Sequence, residues 1–171
     1  MKKNILNGLL IACLLCFNPA NLSVKADSLD TELFNQNSET AQVFKANNLT
    51  LSKNDIYLMA QIVHAESKGE PFEGKVAVAS VILNRVSYPE FPKSIRGVIM
   101  QKNAFSCVQN GSINVVPDES SYNAVLEALK GKDPTEKAVF FYNPKTATSK
   151  WMKNVSKKCI IKIGNHVFFK A

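Results

Sequence analysis

The sequence predicts an α+β fold, mainly helical, with a small antiparallel sheet near the C-terminus. Three observations carry this prediction. Residues 52–86 hold two helical patterns separated by a short polar connection. Between 94 and 129, apolar residues recur at helical spacing behind capping residues. From Ala138 onward the pattern is that of strands, and Gly164-Asn165 separates two β-branched and aromatic runs.

The N-terminus reads as a secretory signal over 1–26. Lys2 and Lys3 precede a mostly apolar run from Ile5 to Phe17, and Val24-Lys25-Ala26 is a small-residue cleavage site before Asp27. The run is too short and interrupted to span a membrane. Leu10-Ile-Ala-Cys13 offers a lipoprotein cleavage box as the alternative, although the apolar run continues past it through Leu14, Leu15 and Phe17. Residues 27–49 are polar, with isolated Leu33, Phe34, Val43 and Phe44 and no period, and read as a linker. The folded domain is then expected over 50–171.

Within the domain, Ser52 is an N-cap and Asp55 completes a capping box. Ile56, Met59, Ala60 and Val63 form one apolar stripe. Glu66 lies about 20° from Met59 and about 60° from Val63 around that helix, so a carboxylate continues the buried stripe at the last turn. Gly69 suits the stop. The second helix, from about Glu73 to Val86, is apolar nearly all round and is therefore central, with Asn84 expected to bond neighbouring backbone. Pro89 and Pro92 break it. Ser94 caps a short helix with Ile95, Val98 and Ile99 inward. Residues 102–118 form a loop long enough to suggest function. Asp118 caps a helix with Tyr122, Val125, Leu126 and Leu129 on one face, and Gly131 ends it. A strand is expected at Ala138–Tyr142, and a hairpin joins Cys159–Ile163 to His166–Phe169 through a type II′ turn.

The chain carries +7 at neutral pH. The signal holds Lys2, Lys3 and Lys25, and 27–49 sets four acids against Lys45, so 50–171 retains +7. A basic exported domain suits a polyanion such as cell wall, anionic lipid or nucleic acid. No nucleic-acid motif is present, and nucleic acid is not an expected partner. After signal cleavage only Cys107 and Cys159 remain; one disulfide and two free thiols are equally compatible with the sequence.

Three chemistries compete. Glycoside cleavage needs an acid to protonate the leaving oxygen and often a second carboxylate. Glu66 is placed best for it, since a carboxylate at the end of a buried stripe is costly to stability and suited to acid catalysis. Glu70 and Glu73 follow at the helix junction, where Glu73 complements a helix dipole. A metal site from His64, Glu66 and His166 is disfavoured, because His64 and Glu66 point about 200° apart on a helix. No His-Glu-x-x-His occurs, and the Cys-x-x-Cys at Cys13–Cys16 lies within the signal segment, so no metal is expected. Cys107 with His166 and an asparagine is the rival, a cysteine-dependent cell-wall peptide amidase, though Cys107 is not at an evident helix N-terminus. Phe105, Ser106, Tyr142, Asn143 and Trp151, in loops and at strand ends, suit a glycan cleft; with Glu70 they are the candidate substrate-binding residues.

Several ordered strings resemble the spore cortex-lytic cell-wall hydrolases, the SleB/CwlJ family. They are Ala65-Glu-Ser-Lys-Gly-Glu-Pro71, Gly74-Lys-Val-Ala-Val-Ala79, Leu83-Asn-Arg85, Phe91-Pro92, Val98-Ile99 and Ala104-Phe-Ser-Cys-Val108. Asp133-Pro-Thr135, Tyr142-Asn-Pro144, Trp151 and Ile163-Gly-Asn-His-Val-Phe168 complete the series. The resemblance implies a lysozyme-like catalytic domain that cleaves the glycan strand of peptidoglycan. In the SleB branch the reaction is lytic transglycosylation of spore cortex rich in muramic-δ-lactam, during germination. It also implies that Glu66 is the catalytic glutamate, acting first as acid and then as base, with no cofactor. Full SleB proteins carry a peptidoglycan-binding domain ahead of the catalytic one, where this chain has a signal and a linker. Peptidoglycan is the expected partner of a monomer, with an accessory spore protein as a further one. A non-catalytic wall-binding module is the remaining alternative.

Overall fold

The computed structural model describes residues 43–46 and 49–171. The signal segment and most of the stretch read as a linker lie outside the described residues. Strands β1 (Val43–Ala46) and β2 (Leu49–Ser52) form an antiparallel hairpin, so a strand occupies part of that stretch despite its lack of alternation. Ser52 ends β2 and starts helix α1 (Lys53–Glu66). Its hydroxyl accepts from the Asp55 N–H while Asp55 accepts from the Ser52 N–H, which is the capping box read from the sequence.

The predicted stripe of α1 is buried: Ile56, Met59, Ala60 and Val63 all face the core. Helix α2 (Phe72–Ser87) is buried on nearly every side from Val76 to Val86, as its composition requires. It packs against α1, α3 (Ile95–Ile99) and α4 (Glu119–Leu129). Ser94 and Asp118 cap α3 and α4 with their side chains. Tyr122 is half-buried at the edge of α4 against the Tyr57 ring, and Ala124 and Ala128 take the inward places beside Val125, Leu126 and Leu129.

The C-terminal sheet has the order β3-β5-β4, from β3 (Phe140–Tyr142), β4 (Lys158–Ile163) and β5 (His166–Lys170), all antiparallel. Strand β3 is shorter than predicted, and the reason is a tertiary contact. The Ala138 carbonyl accepts from Asn84 Nδ2 at 3.1 Å and the Val139 carbonyl from Arg85 Nε at 2.8 Å. Side chains of α2 thus take backbone groups that a longer ladder would use. Asn84 also donates to Asp133 Oδ2 at 3.0 Å, so its partners are distant in sequence. Helix α5 (Lys150–Asn154) was not predicted; five residues are too few to show a period. Among the described residues, no helix is long and apolar enough to cross a membrane.

The turn Gly164-Asn165 has φ +58° at the glycine and no positive φ at the asparagine, as a type II′ turn requires. Glu70, in the α1–α2 connection, docks on it. Its Oε2 accepts from the Asn165 N–H at 2.9 Å and its Oε1 from Asn165 Nδ2 at 3.1 Å. A Cβ at position 164 would overlap Glu70 Oε2 and crowd Pro71 Cδ. Gly164→Ala should therefore destabilise the fold by about 1–3 kcal/mol, read from urea unfolding; an unchanged midpoint would contradict this docking.

Candidate active site

Glu66 closes α1, and its half-buried carboxyl lines a cleft of about 980 Å³. Three donors converge on one oxygen. The Ser106 N–H and Ser106 Oγ each lie 3.0 Å from Glu66 Oε1, and the Cys107 N–H lies at 3.4 Å. None of these contacts engages Oε2. The donors are held in place because the loop is held. Phe105 is buried, and Gln61 on α1 donates to the carbonyls of Ile113 and Val115 at 3.2 and 2.8 Å.

All seven site residues predicted from the sequence line this cleft: Glu66, Glu70, Phe105, Ser106, Tyr142, Asn143 and Trp151. Their parts differ. Phe105 is a buried floor and Ser106 is bonded to Glu66. Trp151 is 51% exposed at the cleft and makes an edge-type contact with Phe140 at 5.2 Å. Asn143 Oδ1 accepts from the Lys145 N–H at 2.9 Å, which shapes the loop after β3. The Glu70 side chain is only 7% exposed, and both its oxygens are engaged by Asn165, so its visible work is to hold the hairpin against the α1–α2 connection. Glu73 is exposed in the first turn of α2.

Sequence reasoning missed Arg85, Phe141 and His166 as cleft residues. For Arg85 a signal existed, a lone cation in an otherwise apolar helix. His166 stands edge-on to Phe141 at 5.3 Å, and its Nδ1 is buried without a hydrogen-bond partner, 3.9 Å from Glu70 Oε1. Burial holds its pKa below the usual histidine value, against the opposing pull of Glu70 and Glu66. His64 is turned away from Glu66. Its Nδ1 accepts from the Asp118 N–H at 3.3 Å, and among the described residues no three His, Cys, Asp or Glu side chains are grouped to hold a metal ion.

Cys107 and Cys159 are free thiols, the first half-buried and the second exposed. The Cys107 thiol is pushed up to about 12, by burial first and then by the neighbouring Glu66, to which it also hydrogen-bonds. Among the described residues no hydrogen bond joins Cys107 to His166. A thiol so placed is a poor nucleophile at neutral pH.

The cleft thus brings together a carboxyl held by the Ser106–Cys107 turn, a second carboxyl tied to the hairpin, and aromatic side chains. The chain belongs to the cell wall hydrolase family, whose sequence profile matches residues 69–169, starting three residues after Glu66. It is similar to the spore cortex-lytic enzyme of Bacillus cereus, 50% identical over 119 residues, which are 70% of this chain and 45% of that protein. The spore cortex-lytic enzyme of Bacillus subtilis is 49% identical over 117 residues, 68% of this chain and 38% of its own length. The chain thus spans less than half the length of these curated relatives. Among solved structures, the catalytic domain of Bacillus cereus SleB superposes with a TM-score of 0.62 at 50% identity, covering 70% of this chain and 91% of that one. The catalytic domain of the germination-specific lytic transglycosylase SleB from Bacillus anthracis gives a TM-score of 0.65 at 49% identity, covering 70% and 97%.

The Cys107 environment makes a direct prediction. At pH 8, iodoacetamide should label Cys159 and leave Cys107 largely unlabelled in the folded protein, by peptide mass spectrometry. Rapid labelling of Cys107 would show a thiolate that this site is built to oppose.

Proposed function

We propose that this protein cleaves the glycan strand of peptidoglycan by lytic transglycosylation, with spore cortex as substrate and germination as its occasion. The observation that carries the reading is Glu66, with Oε1 bonded to three donors and Oε2 left out of those contacts in an open cleft. The names of the relatives, spore cortex-lytic enzymes and a germination-specific lytic transglycosylase, support the substrate and the occasion.

With Oε1 held, Oε2 carries the proton to the β-1,4 glycosidic oxygen between N-acetylmuramic acid and N-acetylglucosamine. The bond from muramic C1 to that oxygen breaks, and the charge left on Glu66 is met by the Ser106 and Cys107 donors. The carboxylate then takes the proton of the muramic C6 hydroxyl, whose oxygen closes onto C1 as a 1,6-anhydro ring. One carboxylate suffices because the nucleophile belongs to the substrate. Phe105, Ser106, Tyr142, Asn143 and Trp151 line the sugar path, and Glu70 braces it. The reaction needs no cofactor.

The protein is exported, with a signal peptide ending at Ala26 and a linker before the catalytic domain, and it acts at the cell wall or cortex as a monomer. An accessory spore protein is a further partner. Charge supports a wall substrate: residues 137–171 contain eight lysines and no Asp or Glu. Exposed Lys145 and Lys150 flank residues that line the cleft.

Mass spectrometry of soluble products from purified cortex tests the reading. Wild type should release fragments with 1,6-anhydromuramic ends, and Glu66→Gln should cut the rate by about 10²–10⁴-fold. Reducing muramic ends would mean hydrolysis. Free peptides lost in Cys107→Ser and kept in Glu66→Gln would mean an amidase. No release would leave a binding module. Sedimentation with intact peptidoglycan should weaken as salt rises from about 0.05 to about 0.5 M, because screening shortens the reach of the lysines; salt-independent binding would remove charge from the account.

A further inference from the structure

Arg85 is costly where it stands. It is 6% exposed in the middle of the domain. Its Nε donates to the Val139 carbonyl at 2.8 Å, and its Nη1 is buried with no hydrogen-bond partner. No carboxylate lies within salt-bridge distance among the described residues. The guanidinium rests instead among three rings, 5.4 Å from Phe91, 5.1 Å from Phe105 and 5.9 Å from Phe140. Ring faces recover part of the lost hydration. A long apolar side chain would fill the same space without that cost, so folding alone does not call for a cation here.

Its location gives the reason. Arg85 lines the same cleft as Glu66. The two are tied through one short segment: Phe105 lies under the guanidinium, and the next residue, Ser106, holds Glu66 Oε1. We propose that Arg85 is a positioning residue for glycan cleavage, a fixed buried cation that stabilises the Glu66 carboxylate once its proton has left. The inference rests on the reading of Glu66 as the acid. Burial lowers the Arg85 pKa to about 10 while Glu66 pulls it back up, so the guanidinium stays charged at neutral pH.

The other groups around Glu66 do not supply this charge. Lys68 and Lys102 line the cleft but are exposed, where water and salt screen them. Burial keeps His166 toward its neutral form, and Cys107 holds its proton. Glu70 is negative and is bonded to Asn165.

The test compares Arg85→Met, Arg85→Gln and Arg85→Lys on soluble cortex glycan, after circular dichroism has established which variants fold. Wild type and Glu66→Gln run alongside; if wild type releases no glycan fragments, or Glu66→Gln matches wild type, the reading of Glu66 fails and not this one. A nearby cation favours the ionised carboxyl, so its removal lets the protonated acid persist to higher pH. In the neutral variants the alkaline, descending limb of the kcat profile should move up by about one pH unit. The low-pH plateau of kcat should fall about 10-fold with KM little changed. Arg85→Lys, which keeps the charge, should leave the limb within about 0.3 unit of wild type. A purely structural arginine would lower the amount of active enzyme without moving the limb. An unmoved limb in a folded neutral variant overturns the proposal. So does an equal shift in Arg85→Lys, or failure of both neutral variants to fold beside a fully active Arg85→Lys.

Discussion

The contact between Glu66 and the Phe105–Cys107 turn is the constraint on which the site depends. A helix end is ordinarily its most mobile part, because the last turn lacks backbone partners. Here the last side chain of α1 is caught by two backbone N–H groups and a hydroxyl from a loop that is itself pinned back to α1 through Gln61. Helix and loop fix each other. All three of these donors meet the same oxygen, Oε1, an asymmetry that suits a proton donor.

The same economy governs the walls of the cleft. Residues that could have extended β3 have their carbonyls bonded by Asn84 and Arg85 of α2, so the strand is short and the sheet is clamped to the central helix. On the other side, Glu70 clamps the β4–β5 turn to the connection that follows Glu66. Two polar ties therefore set the spacing between the helical layer and the sheet. Apolar packing alone, through Phe168 and Phe169 at full burial, would set the distance less specifically.

Much of this was legible in the sequence because local physics decided it. The Ser52 capping box, the α1 stripe, the all-apolar α2 and the Gly164 turn each follow from a short-range rule, and each is present. Glu66 stood out because a carboxylate extending a buried stripe conflicts with stability, and such conflicts gather at sites. What escaped were features settled at long range or over too few residues. Strand β1 and helix α5 are four and five residues long, below the reach of any periodicity. The shortening of β3 depends on side chains some 50 residues away. Two cysteines 52 apart say nothing of their own spacing in space, and they prove to be separate thiols. Glu70 could be placed near the site by sequence but not assigned to the hairpin it holds, because that partner lies 95 residues on.

The central claim is that one anchored carboxyl at position 66 faces the scissile bond, and a crystal structure of Glu66→Gln with a bound cortex oligosaccharide tests it most directly. The account predicts a glycosidic oxygen within hydrogen-bond distance of the residue 66 amide atom that replaces Oε2, the other amide atom still held by the Ser106–Cys107 turn, and sugar rings against Trp151 and Tyr142. A strand seated with its peptide stem at Cys107 and no glycosidic oxygen near residue 66 would contradict it.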